Sequence, residues 1–86
     1  MKRRGAETIM GTSGVAVEIR PGQVYLVNVQ EGPANDQVQP GEHLVQTLGR
    51  TGGAWRGFVV KDKKPVEHRP GDHRYCSFGG EDVLGG

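Results

Sequence analysis

Core-forming material is scarce in this sequence. Apolar residues of the set AVILMFWYC make up 34% of the 86, aromatic residues only 6%, and mean hydropathy is -0.57. A chain of this length forms one domain at most and buries roughly 60–65% of its unfolded surface. No apolar run approaches the roughly 20 residues a helix needs to cross a bilayer. Cysteine is nearly absent: Cys76 stands alone, which excludes a disulfide-stapled miniprotein. Charge of one sign is also missing. Eleven Lys and Arg against ten Asp and Glu leave a formal charge of +1, so no global field steers the chain onto nucleic acid or an acidic membrane.

Glycine, in contrast, is abundant, at fifteen residues, and five prolines accompany it. Interruptions of that frequency exclude a coiled coil and most helical bundles. The charges are unevenly placed. Lys2, Arg3 and Arg4 open the chain, and the stretch from Arg50 to Arg74 carries Arg50, Arg56, Lys61, Lys63, Lys64, Arg69 and Arg74 against Asp62, Glu67 and Asp72. A solvated face is the plain meaning of such a stretch, and a phosphate-contacting patch the sharper one. Gly5-Ala6-Glu7-Thr8 follows the basic start in place of an apolar segment, so no secretory signal is expected. One unpaired cysteine suits a reducing cytoplasm, or a virion if the protein belongs to a viral particle.

Three regions follow from patterning. Residues 1–14 read as a basic, glycine-bearing arm with an edge strand near Thr8 to Met10; 15–78 as a small β domain; and 79–86 as a glycine-rich tail with the apolar pair Val83-Leu84. Within the domain the period is two, hence strand. Val15, Val17 and Ile19 alternate with Ala16, Glu18 and Arg20. Gln23 to Gln30, with Tyr25, Val27 and Val29 on one face, is the expected central strand. Ala54 to Lys61 forms another, with Gly57 at a bulge or close approach, and His73 to Phe78 a further one. A short strand at Val66 to His68 is expected to pair with the Val59 region. His43 to Leu48 reads as strand more readily than helix, because Val45 and Thr47 are β-branched and Gly41 stands near its start. The expected core is Val17, Ile19, Tyr25, Val27, Val29, Trp55, Val59, Tyr75 and Phe78.

Pro-Gly steps recur at Pro21-Gly22, Pro40-Gly41 and Pro70-Gly71. Proline presets φ for the first central turn position, and glycine accepts the positive φ of type II at the second. Tight hairpins prefer other turn types, so these steps predict corners between layers. The fold class expected is all-β: a small barrel or reduced β-sandwich of five to six short strands, with extended N- and C-terminal arms.

Candidate chemistry is thin. His43, His68, His73 and Cys76 offer imidazole and thiolate ligands of the kind zinc accepts, but no CxxC or HxxxH pair is present. On one strand, His73 and Cys76 would point to opposite faces. Neither a metal nor any other cofactor is therefore expected, and Cys76 reads as a small core residue. Ser13 and Ser77 lack a nucleophile elbow, and Thr12-Ser13-Gly14 lacks the lysine of a phosphate-cradling loop. Gly49 to Gly53 reads as a hairpin loop before an anion nest. No catalytic residues and no enzyme activity are expected.

The expected function is that of a structural or interaction subunit in a larger or homo-oligomeric assembly. A phage-type virion accessory (a decoration, cement or head–tail joining protein) is an example that size and arms suggest. Ile9, Met10, Val83 and Leu84 are the expected apolar contacts, with Arg3, Arg4, Lys61, Lys63 and Lys64 as polar partners. One alternative is a small barrel binding single-stranded nucleic acid, with Trp55 and Phe58 stacking bases beside the basic stretch. Another rests on Gly85-Gly86: with Gly71-Asp72 and the strand between, this end is similar to that of ubiquitin-like proteins and sulfur carriers. That resemblance implies a flexible diglycine and a sizeable helix, for which Glu31 to Leu48, broken by Pro33, Pro40 and Gly41, offers little room.

Overall fold

The computed structural model describes residues 7–10 and 16–85, the side chains of 7–10, 16 and 17 excepted. Alternating apolar residues build strands along most of this length: β1 (Glu7–Met10), β2 (Ala16–Ile19), β3 (Val24–Val29), β4 (Gly41–Thr51), β5 (Ala54–Val59), β6 (Tyr75–Phe78) and β7 (Val83–Gly85). Short 3-10 turns occupy Pro33–Asn35 and Gly80–Asp82, and no α-helix occurs among the described residues. The fold is all-β. The helix that the diglycine resemblance implies is absent from these residues.

β3 to β7 form one antiparallel sheet in the order β6-β5-β4-β3-β7, while β1 and β2 pair as a separate two-stranded sheet. The expected central strand, β3, is interior, but β4 holds the middle. Eleven residues long, β4 replaces the short 43–48 segment of the sequence reading, and a register shift between Thr47 and Gly49 bends it. β6 returns to lie beside β3, from which β5 and β4 separate it in the sheet, so the sheet curls into a half-closed barrel.

Turn chemistry fixes this path. Gly52 and Gly53 both have positive φ (59° and 83°) and close the β4–β5 hairpin between Thr51 and Ala54, which is the type I′ geometry that suits strand twist. At the Pro21-Gly22 corner, where Gly22 has φ 80°, the chain passes from the small sheet to the large one. Buried Thr47 holds that corner: its backbone N–H donates to Gln23 O, its carbonyl accepts from Gly22 N–H, and its hydroxyl donates to Arg20 O. Tyr25 Oη adds two bonds across the same corner, accepting from Arg20 N–H (2.8 Å) and donating to Glu18 O (3.0 Å).

The concave face buries Ile19, Tyr25, Val27, Val29, Val38, Val45, Trp55, Cys76, Phe78 and Val83. Each large apolar side chain removed from water here contributes on the order of 1.5–3 kcal/mol. Gly57 is the close approach expected: a Cβ would stand 2.5 Å from Gln46 O and 2.6 Å from Val45 Cγ1. Val59 is only partly buried, and Tyr75 is half-buried on the opposite face rather than in the core.

The C-terminal tail is not a free arm. β7 pairs with β3 through Val83↔Val27 and Leu26↔Gly85, and Val83 has no exposed surface. Three residues suffice because β3 supplies an unfilled ladder and the barrel a vacant apolar site for one valine. Of the N-terminal region, Glu7–Met10 pairs with β2, so the edge strand expected near Thr8 to Met10 forms.

Candidate functional site

The convex face carries a second, smaller cluster. Cross-strand register aligns Val24, Gln46, Phe58 and Tyr75 in one row over β3, β4, β5 and β6. Phe58 is fully buried there, although it lies outside the main core. Its cover is the segment 60–74, which crosses the row without forming the strand expected at Val66 to His68. A side chain replaces that strand's ladder: Gln46 Nε2 donates to Val66 O (2.9 Å) and Gln46 Oε1 accepts from Val66 N–H (2.7 Å). Buried polar groups must find partners, and this amide, 6% exposed, finds both on one residue.

Two histidines extend the cover. His73 stacks on Phe58 with centroids 4.1 Å apart, and His68 stacks on the same ring at 5.3 Å. His68 Nε2 lies 2.8 Å from Tyr75 Oη, and His73 Nε2 accepts from Arg69 N–H at 3.3 Å. The histidines of the candidate metal set thus divide. His68 and His73 meet on the convex face, whereas His43 Nε2 contacts Gln39 O elsewhere. Cys76, register partner of Gly57, is buried on the concave side. No group of three or more His, Cys, Asp or Glu gathers among the described residues. Burial pushes the Cys76 thiol up to about 11, with the nearby Arg56 charge partly opposing the shift.

Segment 60–74 also frames a cleft of about 390 Å³ bordered by Val59, Val60, Lys61, Asp62, Val66, Asp72, His73 and Arg74. Val66, 46% exposed, is the one large apolar side chain left open among the described residues. Lys61, Lys63 and Lys64 are all exposed in the adjoining bend, which Asp62 shapes by accepting from Lys64 N–H at 3.0 Å. A pocket of about 480 Å³ lies against the 3-10 turn at Pro33–Asn35, lined by Glu31, Gly32 and residues 35–40.

The two margins of the main sheet differ. At β6, the outward backbone N–H groups of Ser77 and Tyr75 donate to Asn35 Oδ1 (2.6 Å) and Gln37 Oε1 (3.0 Å). Asn35 also donates from Nδ2 to Gln30 O (2.9 Å), so one buried amide ties the end of β3 to β6 and caps the edge. β7 forms the opposite margin. There Leu84 is half-buried, and the turn that precedes it lies beside β1. Sequence reasoning did not single out Asn35, Gln37 or Gln46, because their roles depend on contacts 20 to 42 residues away.

Of the expected contact residues, Lys61, Lys63, Lys64 and Leu84 lie at least partly at the surface. Val83 does not: it is core, and its expected contact role is corrected here. Arg3 and Arg4 lie outside the described residues, as does Ser13, and Ile9 and Met10 lie in β1 without described side chains. Trp55 is 1% exposed and Phe58 fully buried, so neither forms the open stacking platform that the nucleic-acid alternative requires. Comparison with protein-family models, with curated proteins and with solved structures finds no match.

Proposed function

We propose that this protein is a non-enzymatic interaction subunit of a larger assembly, and that a partner chain adds to the β7 margin of its main sheet. The contrast between the two margins carries this reading. Exposed strand edges template further pairing, and proteins block the edges they do not use. Here the β6 edge is blocked by two side-chain amides, while β7 is the last strand at the other side. Strand addition would give affinity through main-chain hydrogen bonds and selectivity through alternate side chains.

The separate β1–β2 sheet supports the same reading. Two-stranded sheets are marginal on their own, and β1 lies beside the turn that leads into β7. A partner strand placed there would adjoin both sheets. The proposal therefore rests on the β7 edge and not on a free C-terminal arm. A phage-type decoration, cement or head–tail joining protein is the kind of component this architecture suits.

The test is substitution of Leu84 by lysine, which places a charge on the edge. The variant should keep the β circular-dichroism spectrum and lose the assembled form on sizing. If Leu84→Lys folds and assembles like the parent chain, the reading fails.

A further inference from the structure

The cleft beside segment 60–74 has an apolar wall and a charged rim, with further lysines in the bend beside it. Val59, Val60 and Val66 supply the aliphatic wall, with Lys61, Asp62, Asp72, His73 and Arg74 at the rim. The buried Gln46 amide clamps both the N–H and the carbonyl of Val66. The side chain is thereby kept 46% exposed. The volume of about 390 Å³ falls within the roughly 300–1,000 Å³ typical of ligand clefts.

Charge decides the class of occupant. Lys61 and Arg74 border the opening together with two carboxylates, Asp62 and Asp72, and exposed Lys63 and Lys64 follow in the adjoining bend. Asp62 is turned inward onto Lys64 N–H. Among the described residues none of the four cations has an ion-pair partner. An anionic occupant with an apolar anchor matches both features. Nucleic acid matches only one, since the neighbouring Trp55 and Phe58 rings are closed to bases. We infer that this cleft binds an acidic peptide segment of a partner chain, seating one leucine-sized side chain against Val59, Val60 and Val66 while its carboxylates meet Lys61 and Arg74. The inference is independent of strand addition at β7.

The probe is a synthetic peptide with a central leucine flanked on both sides by aspartates and glutamates, titrated into isotope-labelled full chain and followed by amide chemical shifts. Shifts should concentrate at Val59, Val60, Val66 and His73. A peptide with glycine in place of the leucine should bind about tenfold more weakly, and Lys61→Glu should weaken binding roughly threefold, less at high salt. Val66→Asp, whose backbone bonds to Gln46 are retained, should abolish the shifts; Arg74→Glu serves if that variant does not fold. Equal binding of the two peptides, no shifts at the cleft, or displacement of the peptide by a single-stranded oligonucleotide binding more tightly would each overturn the inference.

Discussion

The carboxamide of Gln46 stands to Val66 as a neighbouring strand would, donating to its carbonyl at 2.9 Å and accepting from its N–H at 2.7 Å. One side chain from the middle of the sheet thus positions a segment 20 residues later in sequence. The arrangement hides Phe58 and leaves Val66 presented to solvent.

Replacing Gln46 by leucine should release this segment without unfolding the barrel. Two hydrogen bonds vanish, but Val66 is near enough to solvent for its backbone to find water, so the loss is about 1–2 kcal/mol. Amide exchange at Val66 should accelerate and proteolysis should concentrate between residues 61 and 70. Unchanged exchange would mean that the amide does not hold the segment.

Gly57→Ala should be more damaging than its single methyl suggests. The added carbon would meet Gln46 O and Val45 Cγ1, and the first of these is backbone in the central strand. Overpacking of this kind costs about 1–3 kcal/mol. Chemical denaturation should register the loss as a lower midpoint with an unchanged slope.

Asn35→Ala should both destabilise the fold and expose a sheet edge. It leaves Ser77 N–H and Gln30 O without their partner amide, at about 0.5–1.5 kcal/mol for each of these partly buried bonds. The uncapped β6 edge should then promote aggregation, visible as time-dependent light scattering that the parent chain does not show. Asn35→Ala remaining as stable and as dispersed as the parent would remove the capping role.

Cys76 sets an alkaline limit. Its thiol is raised from 9.0 to about 11 in the folded chain. Below pH 9 it is protonated in both folded and unfolded states and its contribution is fully present. Between pH 9 and about 11 the unfolded chain releases the proton while the folded chain retains it, so stability falls across that window. Cys76→Ala should flatten this part of the denaturation profile. Thiol reagents at mildly alkaline pH should label the parent only as fast as it opens.

Local chemistry carried much of the architecture. The alternation in 24–29 and the Pro21-Gly22 corner form where the sequence places them, whereas the hairpin loop expected over Gly49 to Gly53 shrinks to the two residues Gly52-Gly53, because β4 continues to Thr51. β7 was not legible, because Val83-Leu84 between glycines reads as a tail until β3 provides its ladder. The 66–68 strand failed for a related reason: a side chain of β4 took the hydrogen bonds that a strand would have made. Tyr75 is expected in the core, yet its register with Phe58 sends it to the convex face. Within the candidate site, the exposed lysines were visible from composition, whereas the clamp, the stacked histidines and the cleft come from long-range contacts.

Native mass spectrometry of this 86-residue chain, purified together with the chains that accompany it, beside its Leu84→Lys variant, addresses the claim of assembly at the β7 edge most directly. The prediction is a parent found in species well above the 9.3 kDa of one chain, and a folded variant found as the single chain. A parent that flies only as the single chain, or a variant assembled to the same mass, would contradict it.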